Sequence, residues 1–479
     1  MADKQFVKEI ADMTVDFPQW YTDVVLKTEL TDYGPVKGTM VIRPYGYAIW
    51  ENIQADLNKR FKETGHKNAY FPMLIPQSLL QKEAEHVEGF APEVAVVTHA
   101  GGEKLAEPLI IRPTSETIIC SMFSKWIGSY RDLPLKINQW ANVVRWEKTT
   151  RPFLRTSEFL WQEGHTLHAT REEAIDETMT MLRLYKAFAE EFLAMPVIIG
   201  KKSEKERFAG AESTYGMEAM MLDGKSLQAG TSHHFGQNFT KAYDIQYLDK
   251  DGARKYAWET SWGVSTRLIG ALIMAHGDQR GLVLPPKVAP IQVIVIPIAV
   301  HKEGVIDKCN EVIAQLDKAG IRVEGDFTDN SAGWKFNQWE MKGVPIRMEI
   351  GPRDIENGVV TVSRRDTCEK SALPLDNIEA STSELLTQIQ QNMFIKSKKF
   401  RDSHIIEAHN MKEIKEALDG GNFAKVVWDQ DPACEARVKQ EVQATTRVML
   451  EEEPLFQEEC SICGAKSDKN IVTIIARAY

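Results

Sequence analysis

The sequence predicts three units: an α+β domain with an antiparallel sheet over residues 1–287, an α/β domain over 288–400, and a small α+β C-terminal domain over 401–479. Three observations carry this. Up to Lys287, hairpin signals and amphipathic helices are mixed, the pattern of helices packed around an antiparallel sheet. After Leu284-Pro285-Pro286 and Pro290, strand and helix alternate at the pace of a largely parallel core. From about Phe400 the character changes again, and Cys434, Cys460 and Cys463 appear.

In chain order, Pro44 to Thr64 reads as a helix, with Ile49, Ile53, Leu57 and Phe61 at four-residue spacing and Gly65 as its stop. Arg171 to Ala194 reads as a second, with Ile175, Met179, Leu182, Ala189 and Phe192 on one face. Thr170 and Glu173 form a capping-box pattern at its start, and Pro196 ends it. Asp223-Gly224 separates two short runs between Glu218 and Thr231, which reads as an antiparallel hairpin. Gln292 to Ile298 looks like a strand buried on both faces. A helix ending near Gly320, a strand Ile321 to Val323, a second helix, and strands Pro345 to Ile350 and Val359 to Ser363 follow.

Hydrophobic residues make up 43% and charged residues 26%, the balance of a globular chain rather than of disorder. No apolar run approaches the ~20 residues a membrane helix needs. Met1 to Gln5 lacks the layout of a signal peptide, and six cysteines in a chain this long make no disulfide framework, so a cytoplasmic protein is expected. The net charge of -10 excludes a uniformly basic nucleic-acid surface. Any RNA partner must be held by local Lys/Arg patches.

The chemistry concentrates in a segment that reads as strand, loop and strand: Arg145, Trp146 and Glu147, then Arg151 to Thr156, Phe159, and Trp161 to His165. Alternation along a strand aims Arg145 and Glu147 at one face. They either pair with each other, or Arg145 clamps a phosphate while Glu147 accepts from an adenine amine and Phe159 stacks on the base. Downstream, Arg267 stands where a strand meets a helical run ending at His276, a place suited to a terminal phosphate or to a plain surface arginine. Arg112 to Thr117 reads as a helix start, with Ser or Thr capping and Glu116 at the positive end of the dipole. His233 and His234 are neighbours on a strand, point to opposite faces, and so do not share a metal ion.

Together these pieces resemble the class II aminoacyl-tRNA synthetases, and within them the prolyl branch. Gly46 to Pro72 is similar to the family's first motif, which implies a homodimer; Arg145 to Glu163 is similar to the second, and Trp258 to Arg280 to the third. Arg112 to Thr117, Gly230 to His234 and His276 to Pro286 resemble the prolyl branch specifically. Lys342 to Asp354 looks like the family's anticodon-binding domain. The C-terminal unit resembles the archaeal- and eukaryotic-like form, which ends in tyrosine as this chain does at Tyr479.

The resemblance implies L-proline, ATP with Mg²⁺, and tRNA(Pro) as partners, and no membrane. By the same resemblance Arg145 holds the α-phosphate and Arg267 the γ-phosphate, with Glu147, Arg155, Thr156, Phe159, Gln228, Thr231 and Ser265 completing the ATP site. Thr114, Glu116, Trp161, Glu163, His165 and His233 are candidates for the proline pocket, and Glu340, Arg347 and Arg353 for the anticodon. Four cysteines hold zinc in this form of the family. Here Cys434, Cys460 and Cys463 match, but Asp429 stands at the first position, so zinc is left open. The span Glu163 to Trp258 leaves no room for the editing domain that the bacterial form inserts there. A relative charging another amino acid, such as threonine or glycine, and a non-catalytic RNA-binding relative remain as alternatives.

Overall fold

The computed structural model describes residues 10–80 and 93–479; Met1 to Gln5, on which the signal-peptide reading rests, lie outside them. Six antiparallel strands centre the first unit, in the order Val197–Lys201, Ser213–Met220, Ser226–Gly236, Trp258–Ser265, Glu158–His168 and Leu135–Val144. Helices Phe17–Lys27, Pro44–Glu63, Arg171–Glu191 and Arg267–His276 share one apolar core with the sheet. Burying that core is the main driving force for assembling them. Trp262 sits at its centre against Phe61 and Tyr185. Its cross-strand partner is Gly164, where a Cβ would lie 2.1 Å from the indole. Only glycine leaves room for that ring.

The helix Arg171–Glu191 forms as expected, but its buried stripe is Ala174, Thr178, Met181, Leu182, Tyr185, Phe188 and Ala189. Ile175 and Met179 are half-buried and line surface clefts, because the aromatic bulk around Phe61 and Trp262 takes Tyr185 instead. Thr170 caps the Glu173 amide at 3.2 Å, while Glu173 reaches back to the Ala169 amide, one residue earlier than a standard capping box. Helix Glu116–Trp126 starts where predicted, with Glu116 in its first turn, yet Ser115 makes no cap bond. Its hydroxyl accepts from Gln139 Nε2 at 3.4 Å instead. Between Glu163 and Trp258 the chain forms this long helix, the central hairpin and its flanking strand, helix Asn238–Ala242 and the small hairpin Gln246–Leu248/Arg254–Tyr256. No further domain is inserted.

In the second unit, Val323–Gly325, Val293–Pro297 and Ile346–Ile350 are parallel, and every residue of the middle strand is buried. Val359–Arg364 and Lys370–Pro374 continue the sheet antiparallel. The last strand escapes sequence patterning because it is a largely exposed edge. Helix Ile378–Ser403 runs past residue 400 into the third unit. There Ile405–Glu407, Phe423–Trp428, Ile471–Ala476 and Thr445–Met449 form a sheet that joins the first one where Met449 pairs with Lys201. With the short strand Lys67–Asn68, parallel to Leu135–Val144 at the far edge, the C-terminal unit extends the central sheet to eleven strands.

Candidate active site

One face of the central sheet is covered by helix Arg171–Glu191: Ser232 turns toward it and donates to the Thr178 carbonyl at 2.8 Å. Strand alternation aims the neighbouring residues at the other face. There a cavity of about 250 Å³ is lined by Phe159, Trp161 and Glu163 from one strand, Ser261, Gly263 and Ser265 from the next, and Thr231 and His233 from the third. Thr114, Glu116, Arg145, Gln228 and Arg267 also line it, as do Glu206, Phe208 and Thr214, which the sequence reading did not single out.

Arg145 follows the strand that ends at Val144, so it and Glu147 stand in the connecting loop and not at alternating strand positions. Its Nε donates to the Pro113 carbonyl at 2.9 Å, and its guanidinium lies 5.5 Å from the Phe159 ring and 5.7 Å from Trp161. Arg267 opens helix Arg267–His276 and donates to the carbonyls of Leu154 and Gln228, both at 3.3 Å. Burial depresses the pKa of both arginines, and repulsion from Arg145 and Arg155 lowers Arg267 further. Two half-buried guanidiniums that repel one another across a cavity define an anion site. Glu147, Arg155 and Thr156 do not line the cavity. Glu147 stands 3.9 Å from Arg155, and Thr156 donates to the Glu158 carbonyl at 2.7 Å.

Next to Arg145 the lining turns acidic. Thr114 donates to Glu116, which is only 4% exposed. Glu163 accepts from Gln139 Nε2 at 2.8 Å and meets His165 Nε2 at 3.1 Å, so His165 braces the cavity from behind without lining it. Burial alone would lower the His165 pKa, but Glu163 and Glu116 raise it. His233 lies 3.0 Å from the Thr214 hydroxyl and packs on Phe208, and burial pushes its pKa down to about 3, so it stays neutral. His234 faces away from it, as adjacent strand residues must. Two participants escape sequence reading: Gln139, and Glu259, which takes the Cys120 thiol at 3.3 Å. A signal for Gln139 existed, since pairing the strands around the loop sets it opposite Glu163.

Burial pushes the Glu259 carboxyl up from 4.5 to about 7. Between those values the folded chain holds a proton that the unfolded chain releases, so this group's contribution to stability falls as pH rises across that window. Glu259→Gln is therefore expected to raise the melting temperature relative to the parent at pH 8 and to leave it nearly unchanged at pH 4. Equal shifts at both pH values would show that Glu259 does not titrate in this window.

In the second unit a cavity of about 170 Å³ brings Glu340 and Arg347 together with Arg280, Arg364, Arg365 and Lys370. Glu340 pairs with Arg280 at 2.5 Å, and Arg347 lies 4.1 Å from the Phe336 ring. Arg353 is exposed on helix Pro352–Glu356 and stands apart from this cavity. In the third unit the ligand atoms of Asp429, Cys434, Cys460 and Cys463 all lie within 4.8 Å of one another.

An antiparallel sheet that presents paired arginines to an anion cavity, joined to an α/β domain with a basic pocket, defines a class II aminoacyl-tRNA synthetase. Residues 100–276 match the model of the tRNA synthetase class II core domain (G, H, P, S and T), 292–385 the anticodon binding domain, and 411–479 the prolyl-tRNA synthetase C-terminal domain. The proline–tRNA ligase of Alkaliphilus oremlandii is 62% identical over 481 residues, covering 100% of this chain and 99% of that one. Proline–tRNA ligase 2 of Clostridioides difficile is 57% identical over 479 residues, with the same coverage. A crystal structure of prolyl-tRNA synthetase from Cryptosporidium parvum, complexed with halofuginone and AMPPNP, superposes with a TM-score of 0.94 at 42% identity over 99% of this chain and 100% of that one. The chain belongs to the prolyl-tRNA synthetases. It is an enzyme that activates L-proline with ATP, releases pyrophosphate, and transfers the prolyl group to tRNA. Among the described residues no helix is long and apolar enough to cross a membrane.

Proposed function

We propose that the arginine end of the cavity takes ATP and the acidic end takes proline, so that the carboxylate of one meets the α-phosphate of the other between them. The carboxylate is ionised at pH 7, so adenylation needs no general base. It needs in-line positioning and charge neutralisation at the phosphorus. Arg145 holds the α-phosphate and Arg267 the γ-phosphate, and ATP enters with Mg²⁺ as part of the substrate. Gln228, Thr231 and Ser265 line the same end, and Phe159 offers the base a ring. Glu147, Arg155 and Thr156 do not line the cavity, and their part is to reach the nucleotide once the loop closes on it. The cationic amine of proline meets Glu116, with Thr114, Glu163 and His233 around it and Trp161 against the pyrrolidine ring; His165 fixes Glu163. The convergence of Arg145 and Arg267 on one cavity carries this reading. Proline-dependent exchange of pyrophosphate into ATP tests it, and equal exchange with threonine or glycine would overturn it.

The basic cavity of the second unit receives a splayed anticodon base, with Glu340 and Arg347 reading it; Arg353 keeps only a backbone contact. The domain divisions are placed at 287/288 and 400/401, although the central sheet and one helix run across the second junction. The partner RNA is tRNA(Pro), and the six free cysteines fit a reducing cytoplasm. Tyr70, Met73, Leu74, Val96 and Trp126 are large exposed apolar residues of the first unit, and a second copy of the chain covers them. Sedimentation should give the dimer mass, and a monomer at micromolar concentration would refute it.

Asp429, Cys434, Cys460 and Cys463 fit a zinc ion. The Asp429 carboxylate lies 3.1 Å from the Cys463 sulfur and 3.7 Å from that of Cys434, so four donors face one point. Bound there, zinc cross-links the C-terminal unit and takes no part in the reaction. Metal analysis of the purified chain should find about one zinc per chain. Asp429→Cys should slow its loss to a chelator, since thiolates hold zinc better than a carboxylate in closed sites; a chain without metal would remove the ion from this account.

A further inference from the structure

Lys202, Glu218 and Arg447 form a buried ionic knot beside the ATP cavity. Glu218 lies on strand Ser213–Met220, Lys202 directly follows strand Val197–Lys201, and Arg447 comes from the C-terminal strand Thr445–Met449. Lys202 Nζ sits 2.5 Å from Glu218 Oε1, Arg447 Nη2 3.0 Å from Oε2, and the Ser226 hydroxyl donates to Oε2 at 2.6 Å. Burial alone would push this carboxyl up, but the two cations bring it down to about 2. It is ionised at any working pH.

The knot belongs to the cavity side of the sheet. Gly216, two residues before Glu218, pairs with the cavity residue Thr231, and a Cβ at Gly216 would lie 2.5 Å from the Lys202 Cε. Absence of that side chain lets the lysine stem pass under Thr231. Glu218 itself pairs with Gln228, whose carbonyl accepts from Arg267. Beyond the effects of burial and of Arg145 and Arg155, Arg267 is drawn by Glu218 and repelled by Arg447. Two cations against one carboxylate, all less than a tenth exposed, leave a surplus positive charge. Such a surplus is costly in a dry interior unless an anion answers it. Glu206, on the wall of the same cavity, answers part of it through Lys202, and the triphosphate answers the rest.

We propose that Glu218 is a positioning residue for Arg267, and that the C-terminal unit, through Arg447, sets how tightly the cavity holds a nucleoside triphosphate. The proposal rests on the assignment of Arg267 to the triphosphate. Removing Arg447 takes one positive charge from the phosphate end and leaves Glu218 a stronger hold on Arg267, in competition with phosphate. Both effects weaken ATP binding and leave proline alone.

The test uses the full-length chain in the pyrophosphate exchange assay, with KM for ATP, KM for proline and kcat measured separately, alongside thermal unfolding without ligand. Arg447→Met is expected to raise KM for ATP at least fivefold, with KM for proline within twofold of the parent. Arg447→Lys is expected to restore KM for ATP to within twofold. A drop in melting temperature with KM for ATP unchanged would make the knot a structural fastening only and overturn the proposal, as would equal rises in both KM values. Should Arg447→Met not fold, Ser226→Ala removes one hydrogen bond from Glu218 and is expected to raise KM for ATP two- to threefold; no change there also overturns it. Arg267→Lys in parallel separates the two ideas. If it leaves KM for ATP untouched, the triphosphate assignment falls; if it raises KM while Arg447→Met does not, only the present inference falls.

Discussion

Lysine in place of Arg145 is expected to slow proline-dependent pyrophosphate exchange at least a hundredfold without unfolding the chain. The guanidinium is held by the Pro113 carbonyl and lies near the rings of Phe159 and Trp161, so its fork is fixed before substrate arrives. Preorganised donors aimed at developing charge are worth ~3 kcal/mol or more each. Lysine keeps the charge but loses the planar fork and the carbonyl anchor. The loss should fall mainly on kcat, because negative charge at the α-phosphate grows in the transition state. On the proposed assignment of Arg267 to the far phosphate, which it would grip in ground and transition states alike, Arg267→Lys should raise KM for ATP more than it lowers kcat. The two substitutions combined should cost less than their sum, because both act on one triphosphate. Additive losses would place the two arginines on separate ligands, and exchange within fivefold of the parent for Arg145→Lys would remove that residue from the reaction.

How much of this could be read in the letters follows from the range of the interactions. Strand alternation is local, so the opposed directions of His233 and His234 were legible, whereas Trp161, Glu163 and His165 were chosen by the resemblance, and of these His165 does not line the cavity. The position of Arg145 was less so: the strand stops at Val144, and no residue pattern marks that stop. Gln139 and Glu259 look like ordinary polar strand residues, and their roles appear only when Glu163 and Cys120 arrive beside them. The buried stripe of helix Arg171–Glu191 was misread at Ile175 and Met179, because the bulk that decides the helix's rotation, Phe61 and Trp262, comes from distant segments. The C-terminal sheet joins the central one through the pair Met449 with Lys201 and the bonds of Ser226 to Arg477 and Tyr479, all between distant segments, and no local signal announces it. Arg353 was chosen by its motif, yet the pocket draws Arg364 and Arg365 from the end of the neighbouring strand and Lys370 from the start of the edge strand beyond it.

The acidic end of the cavity sets the second large effect, on proline itself. Glu116→Gln is expected to raise KM for proline about thirtyfold to a hundredfold, the ~2–3 kcal/mol of a hydrogen bond to a charged group. Glu163 is a weaker candidate for the amine, because Gln139 and His165 already share its carboxylate. His233, held neutral, offers the amine no repulsion. Glutamine keeps the shape and the bond from Thr114 but removes the charge that answers the pyrrolidinium. KM for ATP should not rise with it. Glu116 is the largest charge partner of the half-buried Arg145, so neutralising it leaves that arginine more strongly attracted to phosphate. Opposite movements of the two KM values are therefore the signature of a carboxylate that binds the amine while holding back the arginine beside it. A parallel rise in both would mean that Glu116 shapes the cavity and does not recognise the substrate's charge.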